Sequence, residues 1–315
     1  MPELEIMAEG VGFPEGPVAC EDGSVIFGEL RSGQIIRVRP DGTRQIVATV
    51  KGAAPGLAIG PDGALYCCNN GGFAWSDASP APIAVHPDYQ SGSIERIDLA
   101  TGKMERLYDS CDGVKLAGPN DIVFDRHGGF WFSDLGVNIG TAELHGGIYY
   151  ALPDGSSIRR IYYGQGVNGI GISPDGKTVY AGVSFAHTML AFDADPATQH
   201  DPGTMLMSGH VHAEQGHGPA GGRLVASFPG RHIPDSLAIE ADGTIAQALV
   251  FAAEGIARVN PLTGAYQMVH VPDFLTTNIA FGGPDMQTAY ITMSATSRIG
   301  RMRWPAPGLR LPYNI

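Results

Sequence analysis

Residues 118–134, GPNDIVFDRHGGFWFSD, decide how the rest of the chain is read. Two apolar runs, 122–124 and 130–132, flank a short turn that ends in a glycine pair. Short apolar runs bounded by turn residues read as paired strands. In front of the first run stands a polar pair, Asn120 and Asp121, which a buried hairpin does not need.

The same unit recurs along the chain: GPVACEDGSVIFGEL (16–30), GLAIGPDGALYCCNN (56–70), NGIGISPDGKTVYAG (168–182), DSLAIEADGTIAQAL (235–249) and NIAFGGPDMQTAYIT (278–292). Most copies are followed by a second hairpin, such as GQIIRVRPDGTRQIV (33–47) or GGIYYALPDGSSIRRI (146–161). Their DG and TG dipeptides supply the positive φ that tight hairpin turns demand. Four antiparallel strands repeating every ~40–60 residues are the pattern of propeller blades. Six copies predict an all-β, six-bladed β-propeller forming one domain over residues 1–315. The last copy lacks a fourth strand, and ELEIMAEG (3–10) is expected to supply it beside SRIGRMRWP (297–305), closing the ring and covering an exposed edge. A loop inserted at about 200–222 in the fourth blade and an irregular tail at 305–315 complete the organisation.

Composition agrees. Hydrophobic residues make up 43% and charged ones 17%, while 44 glycines and 23 prolines are spread throughout. A formal net charge of −12 argues against nucleic acid, whose phosphates need a basic face. No apolar run approaches the ~18 residues of a membrane span. The N-terminus MPELEIMAEG lacks the basic and apolar regions of a secretion signal, so a cytoplasmic protein is expected. Cys20, Cys67, Cys68 and Cys111 show no zinc spacing and read as buried thiols, adjacent Cys67 and Cys68 pointing to opposite faces of a strand.

The residues that open the six innermost strands are Glu15, Gly56, Asn120, Asn168, Asp235 and Asn278. In a propeller these strands run in one direction around the central channel, so their first residues converge at one mouth. Five of the six bear side-chain oxygens, two of them carboxylates. Such a set, without sulfur or imidazole, suits a hard divalent cation, Ca2+ first, with Mg2+, Mn2+ or Zn2+ as alternatives. The competing reading is that Asn and Asp stand there because loops end there.

FPEGP, GPNDIVFDRHGGFWFSD, VNGIGISPDGKTVY, PDSLAIEADG and TNIAFGGPD together resemble the gluconolactonase and senescence marker protein (regucalcin) family. These are calcium-dependent six-bladed propellers, and the likeness runs through nearly the whole chain. It implies that Glu15, Asn168 and Asp235 bind the metal, that Asp235 also acts as base or nucleophile, and that Asn120 lies near metal and substrate. Asn278 fits the same ring. In the sugar-lactonase members an arginine two residues before the Asn120 position contacts substrate; here that position is Gly118. The implied activity is metal-dependent opening of a lactone, the cation polarising the carbonyl and Asp235 assisting attack by water. A phosphotriesterase-like hydrolase and a non-catalytic calcium-stabilised scaffold are the alternatives. The partner expected is a small molecule, and the protein a monomer or small homo-oligomer.

Loops joining the second and third strands emerge at the same mouth. Residues 69–92 form the longest and carry Phe73, Trp75 and Tyr89. These aromatics serve either as a lid over substrate or as the loop's own packing. Asn69, Trp75, His145 and His187 are the candidates for substrate contact. His210, His212 and His217 read as a solvated loop, and His127 as a turn residue at the opposite end. Ser133 and Ser236 lie outside any nucleophile elbow.

Overall fold

The structure is a computed structural model that describes residues 3–197, 222–251 and 255–315. The turn between the first two strands of the second blade shows how each hairpin is made. Pro61 and Asp62 enter the turn, the Asp62 carboxylate accepts the Ala64 N–H at 3.2 Å, and Gly63 takes φ 73°. That conformation is open to glycine and strained for most other residues.

Six four-stranded antiparallel sheets result. Their innermost strands are Pro14–Ala19, Gly56–Ile59, Pro119–Phe124, Val167–Ile172, Ile233–Ile239 and Thr276–Gly282. All six line one central cavity. In the sixth sheet the outermost strand is Glu5–Glu9, paired with Arg298–Arg303, so the N-terminus closes the ring as expected. Residues 198–221, which contain the anticipated insertion and His210, His212 and His217, lie outside the described residues.

Alternation along each strand sends successive side chains to opposite neighbours. In the third blade, Ile122, Phe124, Phe130 and Phe132 pack toward the second blade. Val123, Trp131 and Ile148 pack toward the fourth. Cys67 and Cys68 divide in the same way between two apolar clusters, and all four cysteines are buried free thiols. One apolar cluster fills every interface between adjacent blades. The core is therefore a ring of six wedges around a channel.

The C-terminal tail forms no strand, yet it is fixed. Gly308 donates to Met286 O at 2.7 Å, Leu309 to Ile239 O at 2.8 Å, and Tyr313 packs edge-on against Phe124. Glu21 N then meets Ile315 O. The tail thus crosses the end of the channel away from the strand starts and floors a cavity of about 110 Å³.

Candidate functional site

Five of the six innermost strands begin with an irregularity. The register with the second strand shifts between Glu15 and Val18, Pro119 and Ile122, Val167 and Ile170, Pro234 and Leu237, and Thr276 and Asn278. A bulge adds a residue and re-aims the side chains beside it. In the first five-residue set of candidates, Glu15, Asn120, Asn168, Asp235 and Asn278 all sit at these shifts. Blade two pairs regularly from Gly56 onward. A Cβ at Gly56 would lie 2.1 Å from Asn120 O, so its neighbour's approach requires glycine there.

The side chains interlock across blades. Glu15 Oε2 accepts from Gly16 N at 3.0 Å and from Asn278 Nδ2 at 3.2 Å. Asn278 Oδ1 in turn accepts the N–H of Ile279 at 2.8 Å, so this amide braces Glu15 with its nitrogen and turns its oxygen to the backbone. Asn168 donates through Nδ2 to Ser184 Oγ at 3.1 Å, while its Oδ1 is buried without a hydrogen-bond partner. Asn120 is 8% exposed, and its side chain forms no hydrogen bond among the described residues.

Burial and mutual repulsion set the electrostatics. Burial, then the charge of Asp235, holds the Glu15 carboxyl well above the usual range, against hydrogen bonds from Thr277, Asn278 and Gly16. Burial pushes Asp235 up to about 7; the Asn168 amide opposes this and the charge of Asp121 adds to it. Asp121 is likewise raised to about 7 by burial, despite N–H donation from Ile170 (3.1 Å) and Ile122 (2.9 Å). It braces the fourth blade. No described Lys, Arg or His pairs with Glu15 or Asp235. No group of three or more His, Cys, Asp or Glu gathers among the described residues, so a cation here needs the amides as well. Buried Glu15, half-buried Asp235 and the orphaned Asn168 oxygen fit a hard cation.

The other candidates have different surroundings. Asn69 is 2% exposed, and its amide is engaged by Gly71 N, Lys51 O and Glu95 Oε1, which removes it from substrate contact. His145 packs at a tilt against Tyr163 of the outermost strand of blade three (centroids 5.4 Å apart), with Nε2 3.6 Å from Glu143 Oε2. His187 closes the short 3-10 turn Ser184–Ala186 in a left-handed conformation, φ 53°. Trp75 packs against Phe13 at 5.3 Å and under the Arg31 guanidinium, and Phe13 stands two residues before Glu15. The long loop is thus pinned at the rim. At Gly118 a Cβ would lie 2.9 Å from Gly136 O, so this backbone has no room for a side chain without shifting.

Sequence reading missed a layer of small donors behind the ring. Ser133 Oγ donates to Asn168 O, Ser184 Oγ to Pro234 O (2.6 Å) and Ser294 Oγ to Pro14 O (2.7 Å). Cys68 Sγ reaches Asp121 O at 3.7 Å, and Gln247 Nε2 reaches Asp235 O at 2.7 Å. Ser184 and Ser294 each directly follow the second strand of their blades, a recurring position that could have marked them.

Fold and site together define a six-bladed propeller with a ring of carboxylate and amide groups at one mouth of its channel. The chain belongs to the SMP-30/gluconolactonase/LRE-like family, whose profile matches residues 13–295. It is similar to the lactonase drp35 of Staphylococcus saprophyticus, 28% identical over 251 residues, and to that of Staphylococcus aureus, 26% identical over 253. Each match covers 79% of this chain and 66% of the relative, just under two thirds of its length. A gluconolactonase of Xanthomonas campestris superposes with a TM-score of 0.73 at 21% identity, covering 96% of this chain and 90% of that one. Regucalcin of Agrobacterium tumefaciens, described as a calcium-binding protein, superposes with a TM-score of 0.70 at 17% identity, covering 98% of each. At these identities the superpositions establish the fold.

Proposed function

We propose that the protein is a metal-dependent hydrolase that opens a lactone at the mouth of the propeller. The observation that carries this reading is the pair of carboxylates, buried Glu15 and half-buried Asp235, which repel one another with no described cationic side chain pairing with either. Membership of the lactonase-containing family supports it. Glu15, Asp235 and the Asn168 oxygen would hold a divalent cation, Ca2+ by donor type. Asn278 holds Glu15 in place. When bound, such a cation supplies a Lewis acid for the ester carbonyl and acidifies water.

The side chains do the rest. Asp235, half-buried, accepts a proton from the attacking water. Asn120, with its amide unengaged by the protein, orients the ester. The pinned aromatic loop around Trp75 limits water at the rim. With no side chain at Gly118, the arginine contact to substrate that the resemblance implies for sugar lactonases is absent, so the reading is of a lactone without that requirement.

The test is turnover of a panel of aliphatic, aromatic and sugar lactones, with an organophosphate panel beside it, before and after chelation. Lactone hydrolysis is expected to stop in EDTA and return with Ca2+, Mg2+, Mn2+ or Zn2+. Asp235→Asn is expected to lower kcat by roughly 10²-fold or more. Turnover indifferent to EDTA and to Asp235→Asn sinks the reading, and preferential organophosphate turnover moves it to a phosphotriesterase.

A further inference from the structure

Ser184 stands directly behind the ring. It follows the strand Thr178–Val183, and its side chain is buried. Its hydroxyl has one proton, and a 2.6 Å contact commits that proton to Pro234 O. Toward Asn168 the hydroxyl can therefore only accept, so the amide group 3.1 Å away must be Nδ2. With Nδ2 directed at Ser184, Oδ1 is left over, buried and without a protein partner.

We propose that Ser184 is the positioning residue that sets which atom of Asn168 is offered to the cation. Resting on the metal reading above, it makes Asn168 an oxygen ligand instead of a nitrogen donor. Its bond to Pro234 O, one residue before Asp235, ties a second ligand to the same hydroxyl. Two ligands from different blades are thus oriented by one side chain belonging to neither inner strand. Outer groups that orient ligands govern affinity about as strongly as some ligands do.

Calcium affinity measured by titration calorimetry on the full-length protein separates this role from plain stability. Ser184→Ala is expected to weaken Ca2+ binding by roughly 10–100-fold with one site retained. In an Asn168→Ala background the same substitution is expected to add little, because it acts through that amide. Tyr108→Phe, which removes a hydroxyl donor to Leu152 O from the outermost strand of blade two, is the control. It lowers stability in EDTA and leaves Ca2+ affinity unchanged. The proposal is overturned if Ser184→Ala binds Ca2+ as the native protein does, or if its loss persists in full beside Asn168→Ala. If the native protein binds none of Ca2+, Mg2+, Mn2+ and Zn2+, the metal reading itself falls, and that result is distinct from either of these.

Discussion

Asp235 and Asp121 share a consequence of burial that solution measurements can reach. Both carboxyls are raised from 3.8 to about 7, and Glu15 is raised from 4.5 as well. Folded protein in chelator then keeps protons that the unfolded chain has already lost between about pH 4 and about pH 7. The stabilisation linked to these groups is complete below the unfolded values and disappears as pH rises through the folded ones. Exposed carboxylates such as Asp98 and Asp154 shift the other way and act only at lower pH. In EDTA the melting temperature should therefore fall across that window. A bound cation takes the place of the protons, so Ca2+ should flatten the fall and bind more tightly at its upper end. Calorimetry at matched pH with and without Ca2+ checks both; a melting temperature that climbs in EDTA from pH 4 to 7 contradicts them.

At the scale of the element, the bulge decides where a ring residue points. At each shift two residues on the inner strand face one on the second; that one is small in blades three to six (Ser133, Gly182, Ala248 and Thr292) and is Phe27 in blade one. Beside the shifts the ring residues pair with small partners too: Gly28 with Glu15 and Thr292 with Asn278, while the regular second blade sets Cys68 against Gly56. Ser133 sits between the partners of Ile122 and Pro119, opposite Asn120 and Asp121. Its hydroxyl accepts Asp121 N at 3.0 Å and donates to Asn168 O of the next blade. Ser133→Ala leaves both backbone groups unpaired in the interior and should cost about 1–3 kcal/mol, read by chemical denaturation in EDTA. A loss within the error of such a measurement would show that the bulge needs no donor. The motif GPNDIVFDRHGGFWFSD thus announced its hairpin and its polar pair, but not the serine that holds them. A two-residue strand period says which face a side chain takes only while the register stays regular.

The whole molecule is held by its two ends. Glu5–Glu9 completes the sixth blade, with Arg301 forming a two-point ion pair to Glu5 at 2.7 and 2.8 Å. The last ten residues span the floor of the channel, from the fifth and sixth blades at Gly308 and Leu309 to the third at Tyr313 and the first at Ile315. Ending the chain at Pro305 removes these ties and uncovers the apolar inner strands. The truncated protein should melt lower by roughly 5 °C or more. It should also bind a hydrophobic dye that the full chain excludes. An unchanged melting temperature would mean that the six interfaces hold the ring without the tail. No described helix is long and apolar enough to cross a membrane.

Strand pattern and turn glycines are local properties, each contained within about fifteen residues, and their sixfold recurrence is read directly along the chain. Alternation and turn chemistry act on neighbours along the chain, so the sequence by itself determined the blade, the count of blades and the end at which the polar residues gather. Which atoms meet was decided by the tertiary structure. Glu15 and Asn278 lie 263 positions apart, and only ring closure brings them within 3.2 Å. The same closure turned Asn278 into a brace, enclosed Asn69 and drew His145 to an outer strand. It also gave the tail a floor to cover. These outcomes depend on which groups remain unpaired after the blades pack, and no period along the chain records that.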